Sequence, residues 1–311
     1  MNGDIGGLIR RHGLPLIAAG AVVGIALPGL AAATRPWLIL ISISVMLLAL
    51  LRVEPAAFGE VLRRPLVAIL ILVWVTFGVP LLVWACLAPV LPGDSPFLAA
   101  AVLIAATPSV MSAAAFAILL GADAALLTVV ALPSNALAPA WLPLAASVMG
   151  VGAQVDPVSM AQRLALLVGS SFAGAALVAR LAGRPALRRA APAIDAWLVL
   201  LIAISAIPCM DGVGPALVAR PAAFAGMFAF ALGLNLVLQF VGYLVFRSAP
   251  GAAALSAGLV TGSRNMVLLL AALGSPGDSD LGLIIAAAQL TLFIMPSLVA
   301  PAYRAVAQRR R

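Results

Sequence analysis

The chain has no lysine, one histidine and only ten acidic residues in 311. Charged residues of both signs make up 9%. A water-soluble domain of this length needs far more polar surface, and a mean hydropathy of +1.19 confirms the deficit. The same scarcity removes most chemistry. No apolar stretch carries a carboxylate pair, no nucleophile sits beside a base, and there is no phosphate-binding loop and no HExxH pair. The chain therefore reads as a non-enzyme with no cofactor and no metal. Cys86 and Cys209 lie far apart in apolar segments and read as membrane-buried thiols, without a disulfide framework or metal-site spacing. The net charge of +8 does not point to nucleic acid. Its arginines fall between apolar stretches, where they face anionic lipid head groups.

What is present is hydrophobic length. A spanning helix needs about 20 apolar residues. Ten such stretches are expected: Leu14–Ala32, Pro36–Leu51, Pro65–Leu87, Phe97–Leu120, Ala124–Met149, Ala161–Leu181, Ala196–Met210, Pro221–Phe246, Ala252–Leu273 and Leu281–Ala300. Short connections carry turn formers, as in Gly93-Asp94-Ser95-Pro96 and Gly183-Arg184-Pro185. Arg10-Arg11, the run from Leu14 and Ala31-Ala32-Ala33 imitate a signal peptide, but the run exceeds a usual h-region and is read as the first span. With ten spans both termini share one side. Placing them inside puts fourteen arginines on inner segments and three (Arg35, Arg163, Arg220) on outer ones. That bias sets a multi-pass, N-in/C-in orientation in a bacterial-type inner membrane.

An internal repeat is visible. Arg64-Pro65 opens the third span and Arg220-Pro221 the eighth. Pro96 lies eleven residues before Thr107-Pro108-Ser109, and Pro250 eleven before Thr261-Gly262-Ser263. The halves, 1–150 and 151–311, read as two five-helix copies, and an odd span count makes them inverted. Helix breakers at matching positions of inverted repeats point to a secondary transporter's binding site. Pro108 frees carbonyls in mid-span and Gly262 loosens its helix. Freed groups in lipid must be met by protein or a watery cavity. Pro108 alone would suit a simple kink with hydroxyls bonded back to their own helix. Two matched breakers favour a site lined by Thr107, Pro108, Ser109, Ser112, Thr261, Gly262, Ser263, Arg264 and Asn265, with Asn135 of the fifth span facing it. Arg264 is the sharpest member, because a charge at bilayer depth costs roughly 2.5–3.5 kcal/mol on insertion scales. Asn235 and Gln239, one turn apart, and Gln289 and Thr291 read as interhelical glue.

These segments resemble the bile acid:sodium symporter superfamily, with a more distant similarity to arsenite permeases. The resemblance rests on Arg63-Arg64-Pro65 leading to Pro80, on Ala106-Thr107-Pro108-Ser109 with Gly121, and on Gly262-Ser263-Arg264-Asn265. It implies an all-α integral membrane protein of ten transmembrane helices, an inverted 5+5 repeat, and broken helices four and nine that cross. It also implies a panel domain (spans 1, 2, 6, 7) and a core domain (spans 3–5, 8–10), with substrate between them. The departures matter. Sodium-binding members carry Glu and Gln in span nine where this chain has Val260 and Arg264, and a Gln where it has Val75. A fixed cation there repels sodium by roughly 4 kcal/mol at about 4 Å and an effective dielectric near 20. The arsenite branch shares the Arg-Asn pair but has a cysteine where Ser109 stands. The resemblance thus implies a secondary transporter of a small organic anion with sodium coupling lost or altered. The alternatives are a proton-coupled efflux permease, for which Asp123 and Asp211 are the nearest acids, and a non-transporting sensor or scaffold.

Overall fold

The computed structural model describes residues 13–53, 59, 61, 65–111, 117, 120–151, 155–274 and 279–309. Those residues form helices α1 (Gly13–Ala26), α2 (Pro28–Thr34), α3 (Leu38–Leu51), α4 (Pro65–Val73), α5 (Val79–Leu87), α6 (Pro96–Ala106), α7 (Ala124–Val148), α8 (Pro157–Ala182), α9 (Arg184–Cys209), α10 (Val213–Ala219), α11 (Pro221–Val245), α12 (Ala253–Gly262), α13 (Met266–Leu273) and α14 (Asp280–Arg309). A 3-10 turn, Arg35–Trp37, joins α2 to α3, and a π turn, Trp74–Gly78, joins α4 to α5. The fold is all-α.

Among the described residues, six continuous segments are long and apolar enough to cross a bilayer: Pro28–Leu51, Pro65–Leu87, and the helices α7, α8, α9 and α11. A seventh, α14, qualifies if its two halves, bent by 51°, are counted together. The exterior fits a multi-pass membrane protein: Leu66, Val158, Leu166, Phe240 and many other large apolar side chains are exposed, whereas buried polar groups concentrate inside.

Several expected boundaries move, each for a local reason. The first span was expected to run to Ala32, but α1 stops at Ala26 because Pro28 opens a new helix. That helix continues through the 3-10 turn into α3, so Pro28–Leu51 is one segment rather than two separated by a loop. The span expected to begin at Ala196 begins at Arg184. Gly183 at φ 74° ends α8, and Pro185 starts α9 at once. Arg184, Arg188 and Arg189 therefore ride on helix rather than loop. Helix α8 begins at Pro157, where Asp156 caps the Val158 and Ser159 amides.

Helix α9 packs along α1 and α3, α8 along α3 and α7, and α11 along α12 and α14. Small residues permit the closest approaches. A Cβ on Gly20 or Gly24 would strike the α9 backbone at Ala203 or Ile207. Ion pairs Arg35–Asp211 and Arg52–Asp195 fasten α9 at both ends of α3. The most secluded elements are the short ones. Leu98–Ala106 of α6 and all of α12 are buried, sheathed by the longer helices.

Candidate functional site at the helix crossover

Helix α6 ends where its sequence requires. A residue before proline is driven out of the helical region, and Thr107, preceding Pro108, is extended at ψ 141°. Helix α12 ends after Gly262, with Ser263 and Asn265 near ψ 84° and 79°. The two opened stretches then pair. Ser109 and Arg264 form an antiparallel bridge, in which the Val110 amide donates to the Ser263 carbonyl at 3.1 Å and the Asn265 amide to the Pro108 carbonyl at 2.9 Å. Ser109 Oγ adds a bond to the Ser263 carbonyl at 3.2 Å. Each break thus satisfies backbone groups that the other exposes, as buried backbone demands.

Arg264 occupies the centre of this pairing and is 1% exposed. Its Nε donates to the Thr261 carbonyl at 2.8 Å. Its Nη1 donates to the Val75 carbonyl at 3.0 Å and the Thr107 carbonyl at 3.1 Å. Three interrupted helices therefore converge on one guanidinium. The interruption at Val75 has a sequence cause. In the π turn the Val79 amide bonds the Trp74 carbonyl five residues back. The next donor in that register would be residue 80, which is proline and has no N–H. The Val75 carbonyl is left for Arg264. Among the described residues no carboxylate pairs with the arginine; its charge is met by carbonyl dipoles.

Neighbouring side chains complete the shell. Asn135 Nδ2 donates to the Ser109 and Ala131 carbonyls, each at 2.8 Å. Asn265 Oδ1 accepts the Leu268 amide at 3.2 Å and caps α13. Thr261 Oγ1 donates to the Ala257 carbonyl and accepts from Trp74 Nε1 at 3.1 Å. Thr107 Oγ1 bonds back to the Leu103 carbonyl, the local pattern typical of kinked membrane helices. Among the described residues, the buried atoms without a hydrogen-bond partner include Arg264 Nη2, Asn135 Oδ1 and Thr76 Oγ1.

Of the expected lining residues, Thr107, Pro108, Ser109, Asn135, Thr261, Gly262, Ser263, Arg264 and Asn265 come together here. Ser112 lies outside the described residues. Asp123 and Asp211 are elsewhere: the first caps α7 through the Leu126 amide and the second pairs with Arg35. Sequence reasoning treated Val75 only as a missing side-chain ligand; its carbonyl is a partner of Arg264. Pro80, five residues on, was the available signal. Thr76 and Trp74 were not anticipated at all. An apolar groove of about 420 Å³ is lined by Ala68 and Leu72 of α4, Pro133 and Ala136 of α7 and Phe172 of α8. No protein-family model and no curated protein matches this chain.

Proposed function

We propose that the chain is a secondary transporter of a small organic anion, related to the bile acid:sodium symporter superfamily, in which Arg264 stands permanently where relatives hold a coupling ion. The observation that carries this reading is the guanidinium held by three carbonyls at the meeting of two broken helices. Carbonyl oxygens of unwound helices are what such proteins offer to a cation. Here the cation is covalently attached, and sodium has no vacancy to fill.

In this reading α6 is part of one broken span and α12 with α13 forms another, for ten spans in an inverted 5+5 arrangement. Helices α1, α3, α8 and α9 then form the panel, and the remaining spans the core. The apolar groove lies where α8 of the panel meets α4 and α7 of the core. The arginine bias supports both termini on the inner side, and the proposed setting is a bacterial-type inner membrane. Proton coupling through Asp123 or Asp211 is the weaker reading, because both carboxylates are engaged at helix ends. Direct binding of the anion by Arg264 has one point in its favour, the unpartnered Nη2.

Uptake of labelled small carboxylates into proteoliposomes, in sodium and in choline, tests the proposal. Equal uptake in the two salts is expected, and strong sodium dependence would refute it. A cysteine at Ser109, probed with impermeant maleimide from each side, is expected to react from both. Reaction from neither side would make the protein a static scaffold.

A further inference from the structure

A second polar structure runs beneath the crossover. Tyr303 Oη, on the C-terminal half of bent α14, donates to Gln239 Oε1 at 2.9 Å. Gln239 Nε2 donates to Asn235 Oδ1 at 2.7 Å, one turn along α11. Asn235 Nδ2 donates to the Gly262 carbonyl at 2.9 Å. All three side chains are at most 9% exposed. Every donor in this chain points the same way, from α14 through α11 to the last carbonyl of α12. That carbonyl also accepts the Arg264 amide at 3.1 Å.

The glycines facing the chain are sized for it. A Cβ on Gly258 would meet the Gln239 carbonyl at 2.8 Å and Tyr303 Oη at 3.1 Å. One on Gly262 would collide with the Gln239 side chain and sit 3.0 Å from the Asn235 carbonyl. Helix α12 thus lies directly on the polar line, with no side chain between. Interhelical glue between two neighbours needs one bond. This arrangement has three in series, crossing three helices and ending on the residue where α12 opens.

We infer that Tyr303, Gln239 and Asn235 form a positioning chain that ties the bent half of α14 to the α12 break, so that Tyr303 sets the placement of Arg264 without touching it. A change in the α14 bend is transmitted to the Gly262 carbonyl and hence to the arginine. The inference concerns the crossover and stands whether or not the chain moves a solute.

Hydrogen exchange of the 259–268 segment in lipid nanodiscs tests it. Tyr303→Phe, which removes one oxygen, is expected to speed exchange there about fivefold, the weight of one buried neutral hydrogen bond. Asn235→Leu is expected to speed it at least as much. The double variant is expected to match Asn235→Leu alone, because a chain already cut at its end has nothing left to transmit. Exchange at 259–268 that is unchanged in Tyr303→Phe, with loosening confined to residues 299–306, would overturn the inference. Additive effects in the double variant would overturn it as well.

Discussion

The two helix breaks that meet at the crossover are built differently. The α6 break is made by a proline, which fixes the backbone of Thr107 and removes an N–H. It gives the Val110 amide and the Ser109 hydroxyl to the Ser263 carbonyl, and its own carbonyls accept from Arg264, the Asn265 amide and Asn135. The α12 break is made by a glycine that allows close approach to α11. It supplies the one charged donor, Arg264, along with the Asn265 amide, and its Gly262 carbonyl is held from outside by Asn235. One break is stiff and electron-rich; the other is supple and cationic. The asymmetry is what a resident guanidinium requires.

The largest test of that asymmetry is Arg264→Leu. It strands the Val75, Thr107 and Thr261 carbonyls, and each buried carbonyl left unpaired costs about 1–3 kcal/mol. A loss above about 3 kcal/mol in thermal or denaturant unfolding is expected on these grounds. Guanidinium at millimolar concentration is expected to restore part of the loss in Arg264→Ala. Arg264→Lys is expected to restore little, since a compact ammonium cannot reproduce the planar fork.

Gly262→Ala should be next. The added methyl meets Gln239 and Asn235, and overpacking of this kind costs about 1–3 kcal/mol. The comparison predicts a different result at the other break. Pro108→Ala adds no clash and restores an N–H, so it is expected to extend α6 and weaken the bridge with little loss of global stability. Hydrogen exchange at Val110 and Asn265 reads that weakening directly. Asn135→Leu removes the bond to the Ser109 carbonyl and should cost about 1–3 kcal/mol, read by unfolding midpoint.

The smallest effect belongs to a helix start far from the crossover. Asp156 caps α8, and its carboxyl is held below the usual range by the Ser159 hydroxyl first, then by the Val158 and Ser159 amides. Its folded pKa is the lower one, so its stabilisation is full above the unfolded value near 3.9 and fades as pH falls through the folded value. Asp156→Ala is expected to abolish that part of the acid dependence and leave the crossover's hydrogen exchange unchanged.

Much of this was legible in the sequence because breakers act locally. Pro108 and Gly262 dictate where α6 and α12 open, and an arginine in an apolar run advertises a site. The partners of Arg264 were not legible, because they are backbone carbonyls and carry no residue identity. Val75 could be found only through Pro80 and the π register between them. Boundaries failed where composition misleads. Arginines suggested a loop ahead of Ala196, yet long basic side chains tolerate a helix that projects toward the surface, and α9 begins at Arg184. Asn235 and Gln239 were legible as polar residues one turn apart, read as interhelical glue, but Tyr303 lies 64 residues from Gln239 and gives no local cue to the chain it heads.

The most direct measurement of the central claim is the unfolding midpoint of the purified wild-type protein titrated with sodium against choline at constant ionic strength. A built-in cation predicts identical midpoints across the titration, since no ion binds the folded state preferentially. A saturable rise in midpoint with sodium would contradict it, and would mean that the site still holds an ion beside Arg264.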